Sequence, residues 1–480
     1  MNRSIIRYIL GNVLKIEGIL MLPAFIVSLI YRERNGIYYL ATAAVIILVG
    51  SLLSYRKPVN DMFYLREGCI ITALSWVFLS FFGALPFWFS QEIPSLVDAV
   101  FETVSGFTTT GASILTDVET LSKCSLFWRS FTHWIGGMGV LVFILAIVPM
   151  SGGSHINLMR AESPGPSVGK LVPRIKTTAQ ILYFIYIVLT LAEIIILILG
   201  NMPVFDAVTL SLGTAGTGGF GILNSSIGSY TVFHKWVITI FMTMFGINFN
   251  AYYAVLLSKK IKSLFSTEEV RHYLGIILIA TTIIFLNIRG MYDGNGEALT
   301  DAAFQVSSII TTTGYSTTDF DLWPSVSKTI LVLLMFCGAC AGSTGGGIKV
   351  SRILILRKTI LKEFGSYIHP KSVKKIQMDE KPIDHDVVRS VNVFFATIVI
   401  VFALSVFLIS LENKDLVTNF TAVAATLNNI GPGLSLVGPT QNFSFFNDFS
   451  KLILMFDMLA GRLELFPMLI LFTPGAYRNK

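Results

Sequence analysis

Charge is scarce in this sequence. Only 14% of its 480 residues are Asp, Glu, Lys or Arg, while 53% are hydrophobic, and mean hydropathy is +0.69. Soluble domains carry roughly 25% charged residues, so a water-exposed globule is excluded and a membrane is the expected surrounding. Cysteine is scarce too. Cys69, Cys124, Cys337 and Cys340 form no secreted-disulfide framework. Cys337 and Cys340 make a C-x-x-C, but inside an apolar span, where small packing residues are expected rather than redox or zinc chemistry. The six histidines show no metal-ligand spacing. The intramembrane-protease signature G-x-G-D and the zinc signature H-E-x-x-H are missing, and no enzymatic activity is expected. Lys15 and Glu17 interrupt the first apolar stretch and no clear small-residue cleavage site follows, which argues against a cleavable signal peptide. A net charge of +7 would suggest nucleic acid in a soluble protein. Here it points to basic cytoplasmic loops, with no nucleic-acid partner expected.

What the chain does have is a fourfold repeat. Thr108-Thr109-Thr110-Gly111, Ala215-Gly216-Thr217-Gly218-Gly219, Thr311-Thr312-Thr313-Gly314 and Asn428-Asn429-Ile430-Gly431 each follow a short apolar segment. Thirteen residues before the first three of these glycines stand Asp98, Asp206 and Asp301; the fourth copy has Thr418 there. The closing glycines are 108, 95 and 117 residues apart. Self-similarity at such a period dictates architecture. Four copies in a hydrophobic chain imply a pseudo-fourfold ring around one axis.

About 20 apolar residues are needed to cross the hydrocarbon core. Candidate spans at 4–31 and 36–55 come first, with Lys15 snorkelling or pairing with Glu17. Each repeat then reads as a long span, a half-span and a long span: 68–90, 94–107 and 124–150; 177–200, 203–215 and 232–258; 268–289, 298–310 and 325–358; 388–411, 416–428 and 446–475. The half-spans are too short to cross. They read as re-entrant segments whose glycine turns face a watery pore, because irregular backbone at membrane depth survives only there or buried in protein. The chain therefore reads as an all-α polytopic membrane protein with four span–re-entrant helix–span repeats around one pore, after an N-terminal two-helix hairpin. Its expected segments are the hairpin 1–66, repeats 67–160, 161–262 and 263–362, a cytoplasmic linker 363–387, and repeat 388–480. Loops at 55–67, 151–176, 259–271 and 357–389 are rich in Lys and Arg and go to the cytoplasm. Loops near the glycine turns carry Glu92, Asp98, Asp117, Glu119, Asp206, Asp319, Asp321, Asp415 and Asp448. These acids either concentrate cations at an outer mouth or are what the positive-inside bias leaves over. The linker, with Lys371, Lys374, Lys375 and Lys381, is either a solvated loop or a docking surface for a soluble subunit.

A dehydrated monovalent cation needs several oxygens of modest charge at fixed distance, and backbone carbonyls supply them. The candidate ligands are the carbonyls of Thr109, Thr110, Gly111, Thr217, Gly218, Gly219, Thr312, Thr313, Gly314, Asn429, Ile430 and Gly431. A second glycine-rich stretch, Gly338 to Lys349, lies midway along the last span of the third repeat. It fails as a phosphate loop, since Ile348 separates Gly347 from Lys349. Gly338 and Gly342 alone could be a small-residue packing face. Gly345, Gly346 and Gly347 together break a helix, which favours a loop obstructing the inner half of the pore. Arg462 stands in the apolar run Leu452–Leu471. Either it faces the pore and repels resting cations, or it packs helices through Asp457 or Glu464. Arg129 and His133 read as anchors of the 124–150 span.

Together, Phe107–Ala112, Trp134-Ile135-Gly136-Gly137-Met138-Gly139-Val140, Arg160-Ala161-Glu162-Ser163-Pro164-Gly165-Pro166 and Gly342–Lys349 resemble the Trk/Ktr/HKT superfamily of potassium transporters, and within it the TrkH branch. The resemblance covers essentially the whole chain. It implies potassium uptake across the bacterial cytoplasmic (inner) membrane, with Gly111, Gly219, Gly314 and Gly431 as filter glycines. Gly338, Gly342, Gly345, Gly346, Gly347 and Lys349 would lie in a gating loop, and Arg462 would be the pore arginine. It also implies a homodimer among membrane lipids, with a cytoplasmic ring of TrkA-like regulatory subunits. No G-x-G-x-x-G opens a helix here, so ATP or NAD(H) is expected on that partner. Potassium itself is the cargo. A sodium-permeable or sodium-coupled transporter on the same plan is the alternative, and the irregular Asn429-Ile430-Gly431 is where selectivity would relax.

Overall fold

The computed structural model describes residues 1–58, 63–139, 175–370 and 375–477. The Arg160–Pro166 motif, the second half of the 124–150 span, Lys170, Arg174, Lys371 and Lys374 lie outside them. Among the described residues six helices are long and apolar enough to cross a membrane, or up to seven if one bent pair counts as a span. The chain is a multi-pass membrane protein.

The N-terminal hairpin is Arg3–Leu20 continuing as Leu22–Tyr31, then Gly36–Ser54. Lys15 and Glu17 do not pair. Two residues apart on a helix, they point to different sides: Lys15 lies against Gly50, while Glu17 is buried facing Gly83. The first repeat contains Leu65–Phe89, the short helix Leu96–Phe107 and Lys123–Gly137. The second contains Ile175–Leu199, the short helix Val204–Gly216, and then Val232–Phe245 and Phe249–Ser258. The third contains Glu268–Ile288, the short helix Asn295–Ile310, Ser325–Cys337 and Val350–Ile368. The fourth contains His385–Ile409, the short helix Leu416–Leu427, Asp448–Arg462 and Phe466–Leu471. Between the last two repeats a small antiparallel ladder pairs Gln377 with Pro382 and Met378 with Lys381.

At a rise of about 1.5 Å per residue the short helices reach little more than half way through a bilayer. Their entry points are fixed by caps. Ser95 Oγ accepts from the Asp98 amide at 3.3 Å, and the Asp415 carboxylate accepts from the Thr418 amide at 2.9 Å. The repeated aspartates anchor these helices to their neighbours. Asp98 pairs with Lys451 at 2.5 Å, and Asp206 accepts from the Tyr230 hydroxyl at 2.9 Å. Asp301 is buried, and the third short helix begins at Asn295, about a turn earlier than the sequence suggests.

Among the described residues the helix of the 124–150 span ends at Gly137, with Gly139 at φ +80°, and two further long spans expected to be continuous are broken. The 232–258 segment bends by 88° at Gly246–Asn248, where the Asn248 side chain caps the second half by accepting from Asn250 N at 2.8 Å. The 446–475 segment breaks after Arg462, with φ of +53° at Glu464 and +71° at Leu465. The interruption at 338–349 falls where the glycines place it.

Candidate ion pathway

All four short helices end in one motif. In the first, Thr110 N donates to Ser105 O at 2.9 Å and Thr109 N to Gly106 O at 3.1 Å. Gly218 and Thr217, Thr313 and Thr312, and Ile430 and Asn429 repeat the pair of bonds at 2.8–3.2 Å. This is the Schellman C-cap, which needs a left-handed residue just past the helix. Glycine usually fills that place, yet here it is Thr109, Thr217, Thr312 and Asn429, with φ of +56°, +55°, +59° and +56°. The next residue returns to negative φ in the three repeats where it is not glycine, and the closing glycine swings to +80°, +77°, +85° or +98°. A left-handed backbone costs a non-glycine residue about 1–2 kcal/mol. Four such residues at matching places mean that the surrounding packing over-determines the turns.

The turns close on one another. A methyl group on Gly111 would stand 2.1 Å from the carbonyl oxygen of Gly218. One on Gly219 would be 1.9 Å from Thr313 O, one on Gly314 2.0 Å from Ile430 O, and one on Gly431 2.8 Å from Thr110 O. First touches second, second third, third fourth, and fourth first. In every case the oxygen belongs to the residue just before the neighbour's glycine. Against this ring sits a cavity of about 160 Å³ lined by Gly111, Gly219, Gly314 and Gly431 together with the segments that follow them. None of the nine outer acids lines it. Several of them hold loops instead: Asp117 accepts from Asn224 Nδ2 at 2.8 Å, Asp321 from Ser435 N at 3.1 Å, and Glu92 from Ser122 N at 2.8 Å.

The glycine-rich segment 338–349 is packed against the other end of these turns. Gly346 N donates to Thr312 Oγ1 at 2.6 Å, so a left-handed turn residue carries the side chain that ties ring to loop. A methyl group on Gly345 would meet Thr311 O at 2.8 Å, and one on Gly346 would meet Asn428 O at 2.6 Å. The loop is pinned at the bend in the second repeat by Cys340 N to Gly246 O and Phe249 N to Gly342 O, both 3.0 Å. The Glu269 carboxylate accepts from Ala341 N at 2.7 Å and Ser351 N at 3.0 Å, holding both ends of the loop. Lys349 donates to Gly345 O across it.

Arg462 bridges the loop and the first repeat, donating to Thr344 O at 2.8 Å and to Gly137 O at 2.7 Å, and also to Gly136 O. The two acids suggested as its packing partners are engaged elsewhere: Glu464 pairs with Arg352, and Asp457 accepts from Ser405 at 2.7 Å. Cys337 and Cys340 are buried free thiols, and no group of metal-binding side chains occurs among the described residues. Sequence alone assigns no role to Glu102 or Glu269 and marks Arg129 only as an anchor. The signal available for Glu102 was its place nine residues before Gly111, which Gln305 shares before Gly314. For Glu269 there was none.

A family model described as TrkH, cation transport protein, matches residues 38–478. The Trk system potassium uptake protein TrkH of Escherichia coli (strain K12) is 37% identical over 489 residues, covering 99% of each chain. TrkG of the same strain is 33% identical over 492 residues and covers 100% of both. The crystal structure of the potassium transporter TrkH from Vibrio parahaemolyticus superposes with a TM-score of 0.90 at 34% identity, over 100% of both chains. With a matching family model, full-length relatives and a shared architecture, the chain belongs to the TrkH family of cation transport proteins.

Proposed function

We propose that this chain carries potassium inward across the bacterial cytoplasmic membrane, through a filter made by the four glycine turns. The reading rests on the closed ring of glycine-to-carbonyl approaches. Carbonyls of Thr110, Gly218, Thr313 and Ile430 stand at equivalent places around one axis, and such a ring replaces an ion's hydration shell without a fixed charge that would trap it. Residues 109–111, 217–219, 312–314 and 429–431 supply the oxygens. The loop 338–349 is the gate, and Arg462 is its bolt. Its guanidinium joins Thr344 to the first repeat, closing the path below the ring and placing a positive charge there. Opening requires those bonds to part. The relatives' names place them in a Trk system, which supports a cytoplasmic regulatory partner carrying ATP or NAD(H), and a homodimeric membrane subunit. The segment boundaries 1–66, 67–160, 161–262, 263–362, 363–387 and 388–480 complete the proposal.

The test is rubidium uptake into proteoliposomes holding the purified chain, with competition by potassium and by sodium. Potassium blocking far better than sodium supports the filter. Equal competition supports sodium permeation and directs attention to Asn429-Ile430-Gly431.

A further inference from the structure

Each re-entrant helix shares one mechanical problem. The strand rising from its glycine must be held against the helix, or the carbonyls just before that glycine lose their position. Three repeats solve it with a side chain nine or ten residues before the glycine. Glu102, nine residues before Gly111, accepts from Ile114 N at 3.0 Å and from the Ser113 hydroxyl at 3.0 Å. Gln305, nine before Gly314, donates to Thr317 Oγ1 at 3.5 Å. Thr421, ten before Gly431, accepts from Leu434 N at 3.0 Å and donates to Leu434 O at 3.2 Å. Ile114, Thr317 and Leu434 are each the third residue after their glycine.

The second repeat has Leu210 nine residues before its glycine, and its Thr209, ten before, donates back along the helix to Phe205 O and Asp206 O and so leaves the segment after Gly219 unhooked. Its strand is held from the first repeat. Arg129 Nη1 donates to Gly221 O at 3.2 Å, and the guanidinium lies over the Phe220 ring at 4.0 Å. The same guanidinium binds Glu102 through Nε at 2.8 Å and Nη2 at 2.7 Å. The two side chains are 2% and 0% exposed. A buried ion pair adds little stability over well-packed apolar residues, so stability is a poor account of this one. A rigid fork reaching three targets is what an apolar pair cannot supply.

We propose that Glu102 and Arg129 are positioning residues for ion selectivity. The pair fixes the first two turns of the ring together, with Arg129 supplying the hook that the second repeat lacks. This rests on the ring being a potassium filter.

The double variant E102Q/R129M tests it in rubidium-uptake proteoliposomes, read as the ratio of potassium to sodium inhibition beside the thermal unfolding midpoint. Both charges go at once, so none is left buried alone, and the amide introduced by E102Q can still hook Ile114 as Gln305 hooks Thr317. Uptake should persist while the ratio falls about tenfold, the worth of one charge-assisted hydrogen bond. Adding L210Q, which gives the second repeat a hook of its own, should recover part of the ratio. A double variant with a lowered midpoint and an unchanged ratio overturns the proposal and leaves a packing role. If the double variant cannot be purified, R129K keeps the charge beside Glu102 but loses the fork to Gly221, and an unchanged ratio there overturns it equally. An unsubstituted chain with no potassium preference overturns the filter reading instead.

Discussion

A serine introduced at the ring glycines should damage selectivity in an order set by their clearances. At Gly314 the new Cβ would stand 2.0 Å from Ile430 O, at Gly219 1.9 Å from Thr313 O, and at Gly111 2.1 Å from Gly218 O. Contacts under 3.0 Å are essentially never seen, so each oxygen must retreat by about 1 Å. At Gly431 the distance is already 2.8 Å, and a retreat of a few tenths of an ångström suffices. Each substitution also puts a non-glycine residue at positive φ, at about 1–2 kcal/mol. That cost is similar at all four sites and cancels in their comparison. A carbonyl displaced by 1 Å no longer ligates, and losing one ligand's worth of charge–dipole binding, about 1.5–3 kcal/mol, lowers potassium preference by tenfold or more. Rubidium uptake competed by potassium or sodium should therefore show Gly219→Ser, Gly314→Ser and Gly111→Ser nearly nonselective, with Gly431→Ser clearly milder. Gly275→Ser is the control, since nothing lies within 4 Å of that position. Equal losses at all four sites, or a loss at Gly275, would refute the reasoning.

Arg462→Ala removes the bridge from Thr344 to Gly136 and Gly137 and should raise basal rubidium flux; unchanged flux would leave it a packing residue. Thr312→Val deletes the acceptor for Gly346 N while keeping the β-branched shape, which should loosen the loop by about 1 kcal/mol and raise basal flux several-fold. Hydrogen bonding from Thr418 holds the Asp415 carboxyl below its ordinary value of 3.8. Its stabilisation of the fourth re-entrant helix is present above pH 3.8 and lost as pH falls through the lower folded value. Hydrogen exchange at the Thr418 amide, corrected for intrinsic rate, should accelerate only at that acid end.

Much of the architecture was legible because its signals are local. Four glycine turns after short apolar segments announce re-entrant helices, and three consecutive glycines announce the loop that breaks Ser325–Ile368. The bend at Gly246–Asn248 and the break after Arg462 were not legible. The first carries a lone glycine, which a helix tolerates at a cost of about 1 kcal/mol, and the second depends on Glu464 and Leu465 adopting positive φ that tertiary packing imposes. The ring itself was half legible. The sequence marks Gly111, Gly219, Gly314 and Gly431, but the order in which they touch is a long-range fact. The left-handed caps at Thr109, Thr217, Thr312 and Asn429 contradict local preference, and tertiary packing imposes them; at Thr312 and Asn429 the side chains also bond to neighbouring segments. The outer acids left two readings open in the sequence, a cation-concentrating mouth or a leftover of the positive-inside bias, and Asp117, Asp321 and Glu92 accept from amides of adjacent loops.

Crystals soaked in rubidium or thallium, with anomalous scattering recorded, put the filter to the plainest test. An ion should lie on the axis of the ring, among the carbonyls of Thr110, Gly218, Thr313 and Ile430. A ring that stays empty while ions bind elsewhere in the protein would contradict it.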